Sequence, residues 1–105
     1  MIFLSEWIKA CNLEQVKEGE LFGLTHDDKK ILLANLKGKI HATDLICTHE
    51  HADLSTGFLS EEGVRCPLHL SVFNLENGEP QNLPAEKPLK VYNVKIDGNE
   101  VYVEV

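Results

Sequence analysis

Two short segments of this 105-residue chain pair a cysteine with a histidine: Cys47-Thr48-His49 and Cys66-Pro67-Leu68-His69. Thiolate sulfur is a soft donor and imidazole nitrogen a borderline one, so each segment offers both ligand types favoured by zinc and iron. A lone packed cysteine or solvated histidine is ordinary. Two mixed pairs, with only residues 50–65 between them, are not explained by packing. Two kinds of centre use such a donor set. A structural zinc takes all four on one tetrahedral ion, usually from a Cys–Cys pair through roughly two to four residues and a His–His pair through roughly three to five. A binuclear iron–sulfur centre instead takes both thiolates on one iron and both imidazoles on the other. Here each segment offers one candidate ligand of each kind, so that two loops can each reach both irons of such a centre. On the residues alone, a zinc-stabilised interaction module stays open beside it.

The elements that must position these pairs are β-type. Short alternating runs bounded by turn signals dominate, and no segment keeps a helical period for long. Trp7-Ile8 starts the series, one helical turn is expected at residues 13–16, and Leu21–Thr25 with Lys30–Leu36 flank a turn at residues 26–29. Lys37-Gly38-Lys39 leads into a strand over Ile40–Asp44. At the far end, alternation over Leu89–Ile96 and Val101–Val105 around Asp97-Gly98-Asn99 reads as a hairpin. Between the two β blocks, residues 46–74 show little regular pattern and carry the ligand candidates, as an inserted site-bearing subdomain would. Pro80, Pro84 and Pro88 then interrupt ladder pairing and predict a stiff loop. The chain length suits one domain, residues 1–105. No internal repeat or low-complexity tract appears.

Composition narrows the partners. Hydrophobic residues at 43% are those of a folding chain rather than a disordered one. With 17 acidic against 10 basic side chains, the formal net charge is −7, which repels nucleic acid and anionic membrane and favours a basic protein partner. Met1–Glu6 has no positively charged leader, and no stretch approaches the roughly 20 apolar residues of a membrane span. A cytoplasmic protein with reduced thiols is therefore expected. Cys11 has no histidine nearby and reads as a buried or free thiol. His26 and His41 read as solvated or satisfied histidines, and Trp7, Tyr92 and Tyr102 as strand packing; His51, two residues beyond His49, is within reach of the site but reads first as a surface loop residue.

The sequence resembles the Rieske-type ferredoxins, the ferredoxin components of ring-hydroxylating oxygenase systems, over nearly the whole chain. Beyond the four ligands, the family's Leu-Ser-x-Gly is matched by Leu54-Ser55-Thr56-Gly57 and its Cys-Pro-x-His by Cys66-Pro67-Leu68-His69. Phe73-Asn74 with Gly78, and Leu83-Pro84-Ala85 with Pro88-Leu89, match further family stretches. Two positions differ: Glu50 and Leu70 stand where family members usually place glycine after each ligand histidine. The loops also lack the bracing cysteine pair of the cytochrome bc-complex relatives.

This resemblance implies an all-β Rieske-type antiparallel β-sandwich with a small cluster-binding subdomain of two loops at about 46–74. It implies one [2Fe-2S] cluster, with Cys47 and Cys66 on the inner iron and His49 and His69 at the exposed tip. Leu68, Leu70 and Pro84 would shield the cluster from water. Ser71 lies where high-potential relatives place a serine donor to a bridging sulfide, and Phe73 takes the place of their tyrosine without its hydroxyl. A potential in the lower half of the roughly −150 to +300 mV Rieske span follows. The expected protein is a monomeric one-electron carrier, not catalytic alone, that docks transiently on an NAD(P)H-dependent reductase and a terminal oxygenase. A redox-sensing Rieske domain is the other reading within the family.

Overall fold

The computed structural model describes residues 6–47, 52–67, 71–81 and 87–105. In chain order the strands are β1 (Trp7–Asn12), β2 (Leu21–His26), β3 (Lys29–Leu36), β4 (Lys39–Asp44), β5 (Phe58–Ser60), β6 (Gly63–Arg65), β7 (Val72–Phe73), β8 (Val91–Tyr92), β9 (Val94–Asp97) and β10 (Glu100–Glu104). Single 3-10 turns cover Leu13–Gln15 and Leu54–Thr56, and no α-helix occurs among the described residues. None of their helices is long and apolar enough to cross a membrane. Three antiparallel sheets result, in the orders β1-β10-β9, β2-β3-β4-β8 and β5-β6-β7.

The β2-β3-β4-β8 sheet is the middle layer, and the run Ile31-Leu32-Leu33-Ala34 in β3 explains why. All four residues are fully buried. Side chains alternate across a strand, so two apolar surfaces leave β3 in opposite directions. Ile31 and Leu33 pack with Cys11, Val101 and Val103 of the β1-β10-β9 sheet, closing a sandwich. Leu32 and Ala34 pack with Val64, Phe73, Leu54, Cys47 and Cys66 on the other side. An unbroken apolar run is the pattern of a strand covered on both faces. The β3–β4 connection is a tight turn in which Lys37 (φ 54°) and Gly38 (φ 88°) are both left-handed, and the Asn35 side-chain oxygen accepts from Gly38 N–H at 2.9 Å.

Two details differ from the sequence expectation. The run Leu89–Ile96 is not one strand. It changes sheets at Asn93: β8 pairs with β4 (Ala42↔Tyr92, Thr43↔Val91), whereas β9 pairs with β10 (Val103↔Val94). Asn93 is held at the switch by Glu104, whose N–H donates to its carbonyl at 3.0 Å and whose carboxylate accepts from its amide at 2.9 Å. Residues 46–74, read as irregular, contain β5, β6 and β7, strands of two or three residues that are too short for alternation to register. The helical turn at Leu13–Gln15 is where it was expected, capped by Gln15 Oε1 accepting from Asn12 N–H at 2.9 Å.

Leu33 fills the sandwich core with no exposed surface. Leu33→Ala is expected to lower unfolding stability by about 2–5 kcal/mol, read as a fall in urea midpoint with unchanged slope.

Candidate iron–sulfur centre

Both cysteine–histidine loops leave the fold in the same way. After β4, Leu45 N–H donates to Lys30 O at 3.0 Å and Leu45 O accepts from Leu54 N–H at 2.9 Å, while Ile46 bridges Asp53. Cys47 then donates its N–H to Ala52 O at 2.8 Å. The second loop grows from the β6–β7 pair, where Arg65 faces Val72, and Cys66 donates its N–H to Ser71 O at 2.8 Å. In each loop the cysteine is the first residue beyond the ladder, and its backbone bond reaches the carbonyl five positions on. Each histidine therefore belongs to a short span whose two ends are fixed. The first loop returns through the 54–56 turn, capped by Asp53 Oδ1 accepting from Ser55 N–H at 2.8 Å.

Cys47 and Cys66 are 1% and 0% exposed and belong to one apolar cluster with Leu32, Leu45, Leu54 and Phe73. Neither forms a disulfide. Ser71 and Phe73 are also fully buried. Among the sequence-derived site residues, His49, His69, Leu68, Leu70 and Pro84 lie outside the described residues, as do Glu50 and His51. Cys11 sits in the separate cluster between the sandwich sheets, where burial pushes its thiol pKa up. His41 is half-buried; burial and Lys39 lower its pKa, opposed by Glu76 and a hydrogen bond to the Leu75 backbone. His26 lies within 3.8 Å of Glu6 and 3.6 Å of Asp27. Trp7 is more open than strand packing implies, at 39% exposed with the Lys95 ammonium 4.6 Å from its ring centre.

A clamp that no sequence pattern signals braces the root of the first loop. Asp44, three residues before Cys47, accepts from Tyr92 O–H at 2.8 Å through one carboxylate oxygen and from Lys90 N–H at 3.2 Å through the other. Its own N–H donates to Lys90 O at 2.9 Å. These bonds fasten β8 and the residues before it, including the buried Leu89 of the cysteine cluster, to the end of β4. Burial raises the Tyr92 pKa, and its bond to the Asp44 carboxylate raises it further.

The donor set fits a binuclear centre: two buried sulfurs at matching loop roots in one apolar cluster, with an imidazole in each loop. Fold and site together define an all-β protein in which a three-stranded sheet and an adjoining loop hold two buried cysteines in one apolar cluster. The chain belongs to the Rieske [2Fe-2S] domain family, matched over residues 6–93. It is 37% identical to the ferredoxin component of the naphthalene 1,2-dioxygenase system of Pseudomonas aeruginosa over 100 residues, covering 95% of this chain and 96% of the relative. The solved ferredoxin of carbazole 1,9a-dioxygenase from Nocardioides aromaticivorans IC177 superposes with a TM-score of 0.86 at 28% identity, covering 92% and 95% of the two chains. The complex of reduced oxygenase and oxidized ferredoxin in carbazole 1,9a-dioxygenase matches with a TM-score of 0.87 at 31% identity, covering 92% of this chain and 91% of the matched one. The protein is thus an electron carrier with a Rieske-type [2Fe-2S] cluster and is not catalytic on its own.

Tyr92→Phe is expected to cost about 1.5–3 kcal/mol near neutral pH, the range for a hydrogen bond to a charged group. Because the folded-state pKa is raised, the hydroxyl's stabilisation is complete below its unfolded value of about 10 and is lost as pH rises above it. Urea unfolding of both proteins at about pH 8 and about pH 11 should show the gap between them shrinking at the higher pH.

Proposed function

We propose that Cys47 and Cys66 bind the inner iron and His49 and His69 the outer one. The observation that carries this is the shared closure of the two loops, each with a buried cysteine at its root. One-electron chemistry is what the [2Fe-2S] cluster supplies when bound. Two neutral imidazoles in place of two thiolates remove two negative charges from the ligand shell, so an electron is taken up more readily than at an all-cysteine site. The apolar surround keeps water from the sulfurs and limits reorganisation of the site. The ligand loops, about 46–74, act as the cluster-binding subdomain of a single domain spanning 1–105.

In this reading the protein is a cytoplasmic monomer that takes electrons from an NAD(P)H-dependent reductase and delivers them to a terminal oxygenase. Support comes from the names of its relatives and from the ferredoxin–oxygenase complex to which it is similar. The formal charge of −7 favours transient docking on basic partner surfaces, and such encounters bury little area. Ser71 donates toward the cluster, Phe73 offers no hydroxyl, and Leu68, Leu70 and Pro84 shield it.

His49→Ala and His69→Ala are each expected to abolish the Rieske visible spectrum; a wild-type spectrum in His69→Ala would overturn the ligand assignment. The midpoint potential is expected in the lower half of the roughly −150 to +300 mV span, and Ser71→Ala is expected to lower it further while the spectrum persists. Protein-film voltammetry reads both. Stimulation of NAD(P)H-dependent naphthalene dioxygenation, with the naphthalene reductase and oxygenase components added, tests the carrier role.

A further inference from the structure

Gly57 ends the turn that closes the first loop, donating its N–H to Leu54 O at 3.0 Å. Its φ of −86° and ψ of −153° are extended backbone, so conformation does not call for glycine here. Space does. A Cβ at Gly57 would overlap the Arg65 carbonyl oxygen and lie 3.3 Å from the carbonyl carbon. Arg65 immediately precedes Cys66 and is paired on both sides, with Phe58 and with Val72, so its carbonyl has no room to step aside without carrying Cys66 along. Gly57 in turn is tied to the root of Cys47 through Leu54 N–H, which donates to Leu45 O, and through the Ile46–Asp53 bridge. At this point the backbone of one ligand loop rests directly on the root of the other.

We propose that Gly57 is the positioning residue that sets the spacing between the Cys47 and Cys66 sides of the cluster site. The proposal rests on the ligand assignment above. Gly23 supplies the contrast. It touches the same loop from β2, but its missing Cβ faces side-chain tips, Leu45 Cδ1 at 3.1 Å and Ser55 Oγ at 3.4 Å. A methyl at Gly23 is accommodated by rotating side chains; a methyl at Gly57 must push two loop roots apart.

The test compares wild type, Gly57→Ala and Gly23→Ala as cluster-loaded proteins, by midpoint potential, electron paramagnetic resonance of the reduced form, iron release to a chelator, and far-UV melting. Gly57→Ala is expected to shift the potential and the resonance and to lose iron about tenfold faster, the lower end of what disturbing ligand support costs, while the sheets still melt cooperatively. Gly23→Ala should keep the wild-type potential and resonance. A Gly57→Ala protein with wild-type potential and resonance overturns the proposal, as does an equal shift in Gly23→Ala. If Gly57→Ala yields no folded protein, Asp53→Ala decides: it removes the cap of the same turn without adding an atom, and should fold with a shifted potential and faster iron release. Wild-type values in Asp53→Ala would then overturn it. A wild-type protein lacking a Rieske spectrum would instead defeat the ligand assignment, leaving Gly57 out of the question.

Discussion

Everything in this structure depends on two buried thiols being held at the ends of two β ladders. Cysteine sulfur is weakly polar and sits easily in an apolar cluster, so Cys47 and Cys66 are buried at no cost in unsatisfied hydrogen bonding. Their backbones are another matter. Each N–H, at the point where its strand ends, is bound to the carbonyl across the loop, Ala52 O or Ser71 O, at 2.8 Å. Each cysteine is thereby fixed by the sheet at the point where its loop begins.

The three-layer arrangement follows from that requirement. A sandwich alone would leave the outer face of β3 and β4 to water. The small β5-β6-β7 sheet covers it, and the cysteine cluster forms in the space between. Since β3 serves both layers, its four fully buried residues couple the sandwich to the site. Asp44 adds a polar tie at the seam, joining the end of β4 to Tyr92 and Lys90 across 48 and 46 positions of sequence. The acidic surface bears on docking rather than on folding. Uptake of an electron adds to the chain's negative charge, which neutral imidazole ligands make tolerable in the ligation proposed above.

Local patterns were legible in the sequence; long-range placement was not. The β2–β3 and β3–β4 hairpins and the β9–β10 turn at Asp97-Gly98-Asn99 are short-range features that turn chemistry specifies, and they formed as read. The cysteine–histidine spacing and the motifs around it pointed to the family. Alternation shows which residues face a core but not which sheet a strand joins, so the change of sheets at Asn93 was invisible. Strands as short as Val72–Phe73 leave no periodic trace. The Asp44–Tyr92 clamp and the Gly57–Arg65 contact pair residues far apart in the chain, and single residues of those types carry no signal of a distant partner.

The central claim is that two loops hold one binuclear iron centre asymmetrically, sulfur on one iron and nitrogen on the other. Iron and acid-labile sulfide analysis combined with electron paramagnetic resonance of the dithionite-reduced protein tests it most directly. The expected result is equal iron and sulfide in the ratio of a [2Fe-2S] cluster, with an average g value below that of all-cysteine clusters. A colourless protein holding a single zinc ion, or a spectrum of the all-cysteine type, would contradict it.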